Sequence, residues 1–147
     1  MKFFKMLAVV FILVVSLNAA STTQLAQEPD SELFDYMIGS WVVNRSDPSY
    51  KISGGAISTY ESDGTVYYQQ FSDQACTELL FDTKAKWKIK NGMLIITVLS
   101  SMRPDLHPPG LVVIDRIISI NKTASILESQ DGTKQYRFRS QKCLLPK

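Results

Sequence analysis

The 147-residue sequence predicts an all-β domain, an antiparallel up-and-down barrel of eight to nine strands entered through a short helical turn. Three observations lead there. From residue 40 onward apolar side chains recur at every second position, the periodicity of strands with one buried face, and only Leu33, Phe34, Met37 and Ile38 approach helical spacing. Between the alternating runs stand "SDGT" at 62–65, "NG" at 91–92 and "DG" at 131–132, turn sequences that tolerate positive φ and join neighbouring strands as hairpins. No helical run is long enough to cover a sheet face, so a meander of this kind hides its edges best by closing on itself.

The first segment has the layout of a secretory signal: basic Lys2 and Lys5, an apolar stretch from Met6 to Leu17, then the small residues Asn18, Ala19, Ala20 and Ser21. That stretch falls short of the roughly 20 residues that span a bilayer, and no cysteine stands near it for lipid attachment. The expectation is an exported protein, periplasmic or secreted, with no membrane span after signal cleavage. Residues 1–20 then form the signal peptide, the polar 21–32 a flexible leader, 33–143 a single barrel domain and 144–147 a tail. Lys2 and Lys5 leave with the signal, so the 16 basic residues fall to 14, against 14 acidic ones. Such neutrality gives no electrostatic reason to expect nucleic acid or an anionic membrane as partner.

Strands are expected at 40–46, 55–62, 65–72, 76–82, 84–90, 93–100, 112–120, 123–129 and 133–140. Alternation assigns their faces. Across the Asn91-Gly92 turn, Trp87 and Ile89 share a face with Leu94, Ile96 and Val98, while Lys86, Lys88 and Lys90 point to solvent. Tyr136 and Phe138 are assigned inward, and Arg137 and Arg139 to the opposite face. The predicted interior is Tyr60, Tyr68, Trp87, Ile96, Val98, Leu127, Tyr136 and Phe138. Three of these carry hydroxyls that need a partner when buried, which suits a partly wet cavity; the alternative is that they fill the barrel outright. Asp115, inside the apolar run "LVVIDRIISI", is read as lying on a wet strand face, with burial against an arginine as the alternative.

Cys76 and Cys143 are the only cysteines, and an even count in an exported chain predicts a structural disulfide between them. Catalytic chemistry has little to stand on. The single histidine, His107, cannot build a multi-histidine metal site, so neither metal nor cofactor is expected. Glu61, Asp63, Asp73 and Asp82 sit near turns without the spacing of a working carboxylate pair. A serine nucleophile would have to be Ser100 or Ser101, beside the loop that carries His107. In that loop Arg103, Asp105 and His107 alternate with Met102, Pro104 and Leu106, which suits a lid over the barrel mouth, a contact for a protein partner, or a proline-stiffened crossover. "NRS" at 44–46 and "NKT" at 121–123 match the glycosylation acceptor pattern, relevant only to a eukaryotic source.

Gly39-Ser40-Trp41, following a short helical turn, resembles the G-x-W signature that opens lipocalin barrels. "AKWKIKNGMLIITVLSS", the link "PDLHPPG" and "DRIISINKTASILESQDGTKQYRFRS" are similar to the second half of small bacterial lipocalin-like domains, so the resemblance runs over residues 37–140. The T-D-Y-type second motif and the C-terminal helix of longer lipocalins have no counterpart. The resemblance implies a calycin-type barrel whose lower end is closed by Trp41, with Gly39 allowing the tight entry and Arg139 or Arg137 lying over the indole. Trp41 would then be structural and touch no ligand. It further implies a small apolar or amphipathic molecule held in the barrel interior; the alternative is a filled barrel acting through its surface, as an enzyme inhibitor or an envelope interaction module.

Overall fold

The computed structural model describes residues 29–44, 54–140 and 142–143, so the expected signal peptide, most of the leader, the end of the first strand and the 144–147 tail lie outside the described residues. Helix α1 spans Asp30–Met37, followed by β1 (Gly39–Asn44), β2 (Ala56–Tyr60), β3 (Thr65–Phe71) and β4 (Leu79–Lys90). Then come β5 (Met93–Ser101), β6 (Val112–Ile120), β7 (Ala124–Ser129) and β8 (Lys134–Arg139). Each strand pairs antiparallel with the next, and β1 pairs with β8 to close the barrel. Hairpin chemistry holds at Asn91-Gly92, where both residues take positive φ (53° and 71°).

The strand count settles at eight because the runs at 76–82 and 84–90 are one strand. Nothing at Asp82-Thr83 turns the chain, and the alternation passes through: Phe81, Thr83, Ala85 and Trp87 are buried while Asp82, Lys84, Lys86 and Lys88 are exposed. Residues 76–78 belong to a turn instead, because the Asp73 carboxylate accepts the backbone N–H groups of Thr77 (3.0 Å) and Glu78 (2.9 Å).

The helix is two turns long rather than one and begins at Asp30, inside the segment assigned to the leader. It starts directly after Pro29, whose φ of −57° suits helix entry. Asp30 also docks the helix: its carboxylate accepts N–H from Asn91 (2.7 Å) and Gly92 (2.9 Å), tying α1 to the β4–β5 turn. Leu33 and Met37 are the buried face.

That docking closes one end. Trp41 is fully buried, its indole N–H donates to Met37 O at 2.7 Å, and Arg139 lies over the ring with its guanidinium carbon 4.4 Å from the centroid. Arg139 also donates to the carbonyls of Ile38 (2.5 Å), Tyr36 and Lys122 (2.8 Å), satisfying chain that the short helix leaves open. Gly39 has a φ of +114°, and a side chain there would run into the same guanidinium. Phe34 stacks on Trp87 at 4.4 Å and Tyr60 meets it edge-on at 5.3 Å, completing a dry floor with Leu94 and Leu127.

Outside the barrel wall a second cluster joins Val42, Ile57, Phe71 and Cys143. The Cys76–Cys143 disulfide, with Cα atoms 5.6 Å apart, clamps the C-terminal segment over this face. It closes a loop of 67 residues, worth roughly 4 kcal/mol on the chain-entropy account. Gly55 lies beneath it, where a Cβ would come within 2.9 Å of Cys143 Sγ.

One face assignment is reversed. Tyr136 and Phe138 are on the outer surface, 43% and 39% exposed, while Arg137 is inside and 6% exposed. Parity is the reason. Arg139 must point inward to cover Trp41, positions two apart share a face, and Arg137 follows it inward.

Candidate functional site

Above the aromatic floor the barrel is hollow. The cavity is about 260 Å³, with walls from Val43, Val66, Ala85, Ile96, Val98 and Val113 and polar groups projecting from five strands. The strands set this up through their inward positions: Ser58 and Tyr60 on β2, Tyr68 on β3, Thr83 on β4, Asp115 on β6, Gln135 and Arg137 on β8.

The polar groups form three sets. Low in the cavity Arg137 donates from Nη1 to the Tyr60 hydroxyl (2.7 Å) and from Nη2 to Gln135 Oε1 (2.8 Å). On the β6 wall Asp115, 3% exposed, accepts a hydrogen bond from Ser129 Oγ at 3.1 Å. On the β3–β4 wall Tyr68 donates to Gln70 Oε1 (2.6 Å), and the Gln70 amide is anchored on the carbonyls of Gly55 and Phe71, both at 3.1 Å.

The 101–110 loop lies at the mouth. His107 reaches inward and lines the cavity, its Nδ1 2.9 Å from Thr83 Oγ1 and its ring edge-on to Tyr68 (5.7 Å) and Phe81 (5.4 Å). Burial holds its pKa below the usual 6.5, because the charged form loses hydration without gaining a counter-charge. Arg103 and Asp105 remain outside, paired with each other at 2.6 Å, where hydrogen bonding and charge raise the arginine pKa and lower that of the aspartate.

A serine is connected to this histidine, but at one remove. Ser101 Oγ is 2.8 Å from Thr83 Oγ1, which bridges it to the imidazole. Ser101 also accepts the N–H of Arg103 (3.0 Å) and lies 3.2 Å from Asp82 O, so its hydroxyl shapes the turn instead of meeting the imidazole directly, as an activated nucleophile must. Among the described residues no group of three or more His, Cys, Asp or Glu side chains could hold a metal ion, and no helix is long and apolar enough to cross a membrane.

No protein-family model and no curated protein sequence matches the chain. Solved structures do. A lipocalin-like protein from Bacteroides uniformis ATCC 8492 superposes with a TM-score of 0.51 at 12% identity, over 71% of this chain and 99% of that one. The fold is lipocalin-like. A second match, an uncharacterized protein from Bacteroides eggerthii DSM 20697, gives a TM-score of 0.50 at 12% identity over the same shares.

Within this lipocalin-like barrel the interior expected from sequence divides into three. Tyr60, Tyr68, Ile96 and Val98 line the cavity. Trp87 and Leu127 are buried in the floor beneath it. Tyr136 and Phe138 are outside. Asp115, read from sequence as lying on a wet strand face, is buried instead. Sequence reasoning missed Arg137, Gln135 and Thr83 as wall residues, although parity from the Trp41–Arg139 contact was a signal that could have placed the first two.

Proposed function

We propose that this is an exported, non-catalytic protein that binds a small apolar or amphipathic molecule inside its barrel. The observation that carries this reading is the hollow interior: a cavity of about 260 Å³ lined in equal measure by aliphatic side chains and by convergent polar or aromatic ones, with a histidine-bearing loop at its mouth. Burial against Ile96, Val98 and Val113 would supply affinity, and the Tyr60 and Tyr68 hydroxyls would orient the ligand. Export is supported by the signal-like N-terminal sequence and by the disulfide, which belongs to oxidising compartments.

Native mass spectrometry of protein purified without detergent tests it, together with Val98→Phe, which places a larger ring in the cavity. A retained small molecule in stoichiometric amount, absent from the variant, is the expected result. Identical masses after subtracting the substitution, with no bound species in either, would count against it.

A surface role has one specific observation behind it. Met102 and Leu106 on the mouth loop and Val112 beside it are all exposed apolar residues, a small patch of the kind that meets protein partners. Pull-down with Leu106→Asp as control separates that role from ligand binding.

A further inference from the structure

The histidine at the mouth has one ring nitrogen to spare. His107 Nδ1 lies 2.9 Å from Thr83 Oγ1, and Thr83 Oγ1 lies 2.8 Å from Ser101 Oγ. Ser101 Oγ in turn lies 3.0 Å from the backbone nitrogen of Arg103 and 3.2 Å from the Asp82 carbonyl oxygen. A hydroxyl has one proton and two lone pairs, a backbone N–H only donates and a carbonyl only accepts, so the protons of this chain can be placed. Ser101 gives its proton to Asp82 and accepts from Arg103, which leaves its second lone pair for the Thr83 proton. Thr83, having given its own proton away, takes one from the imidazole. This assignment alone satisfies all four contacts, and it puts the histidine proton on Nδ1. Nε2 keeps a bare lone pair.

That lone pair is in a position to be used. Nε2 has no hydrogen-bond partner among the described residues, and it is not sealed away from the space the ring lines. The ring is held edge-on to Tyr68 and Phe81, and burial keeps its pKa below 6.5, so at neutral pH it is an acceptor and not a cation. Nearby Tyr68 directs its own proton to Gln70 Oε1. Beneath the histidine the wall turns apolar. Ala85 follows Thr83 on the inward face of β4 and is paired with Val98, while Ile96 is paired with Val113. The Ala85–Val98 layer is two residues below Thr83, about 7 Å at roughly 3.3 Å per residue. A molecule filling this sector covers Nε2 and displaces its water, which is costly unless the molecule returns a hydrogen-bond donor.

We propose that the cavity takes a small neutral alcohol, its apolar body against Ala85, Val98 and Ile96 and its hydroxyl proton donated to His107 Nε2. This rests on the cavity-binding reading and gives it a chemical class. An ether or a carboxylate brings only lone pairs to face a lone pair, so both are discriminated against.

Three probes of matched size test the proposal on the intact protein at a pH well above 6.5: hexanol, its isomer pentyl methyl ether, and hexanoate, each titrated by calorimetry and by NMR shift perturbation. Hexanol is expected to bind about tenfold more tightly than either of the others and to shift the Nε2 resonance. Nitrogen NMR of the free protein should show a protonated Nδ1 and an unprotonated Nε2. His107→Phe, which keeps a ring between Tyr68 and Phe81, should weaken hexanol about tenfold and bring it level with the ether. A proton on Nε2 in the free protein would overturn the inference, as would hexanoate binding as well as hexanol, or a preference for hexanol that survives His107→Phe. Equal binding of hexanol and the ether, abolished by Val98→Phe, would overturn recognition of the hydroxyl while leaving a general apolar site. Binding of none would remove both readings. The wild-type series and the nitrogen spectrum need no variant, so a poorly folding substitution does not blunt the test.

Discussion

At the closed end of the barrel Met37, Trp41, Leu94 and Leu127 are fully buried, and the donors of Trp41 and Arg139 are directed onto main-chain carbonyls. Above that end the inward positions, from Arg137 low in the cavity to Gln135, Asp115 and Thr83, surround empty space, and a loop histidine replaces the helix as cover. The same strands build both. What differs is the purpose of their polar groups: below, they complete the backbone's hydrogen bonding, and above, they face a volume that the protein does not fill. Stability should therefore reside below and selectivity above.

Removing the floor is the sharpest way to break that contrast. Trp41→Ala deletes the most buried large side chain and the surface under Arg139, and should cost about 3–5 kcal/mol in denaturant unfolding. A loss below about 1 kcal/mol would mean that the helix and Arg139 close the barrel without the indole.

The loop at the mouth should behave differently. His107→Ala removes the Thr83 hydrogen bond, a matter of about 1 kcal/mol, and should raise the dissociation rate of a bound ligand more than it lowers the melting temperature. Acid should act in the same direction. Burial depresses the pKa of His107, so its contribution is present above the unfolded value of 6.5 and is lost as pH falls through the lower folded value. An NMR titration in which the imidazole takes its proton below pH 6.5, with resonances of the 101–110 loop moving in step, is the expected outcome. A titration at or above that value would show that the ring is not held in the closed mouth.

Phe138→Thr should have the smallest effect. Phe138 lies on the outer surface of β8, so its replacement by another strand-forming residue should stay within about 0.5 kcal/mol. A loss of several kcal/mol would return it to the interior and reverse the face assignment of β8.

These three sites also mark how much was legible beforehand. The closed end could be read from Gly39, Trp41 and the Asn91-Gly92 turn, because tight entry, a large ring and positive φ each leave a local trace. Strand β4 was split in two since Asp82-Thr83 looks polar enough for a turn, yet one residue of each kind alternating in and out breaks no strand. The cavity was hard to read for a physical reason. An inward Arg137 beside an outward Phe138 has the same alternation as the reverse, and hydrophobicity favours the wrong choice; only the long-range contact of Arg139 with Trp41 decides it. Asp115 posed the same problem, since charge in a strand ordinarily means solvent.

The seam between β1 and β8 carries a consequence for how the molecule forms. Trp41 and Arg139 come from opposite ends of the described chain, so this pairing is the least local in the fold and the loop entropy for it is met late. Until then the first and last strands are two open edges on a nearly complete sheet, the surfaces through which one copy could add to another. Lys134, Arg137 and Arg139 line the last of them. Their mutual repulsion would oppose the joining of two β8 edges, and closure of the seam with β1, which carries no charge of its own, removes both edges at once.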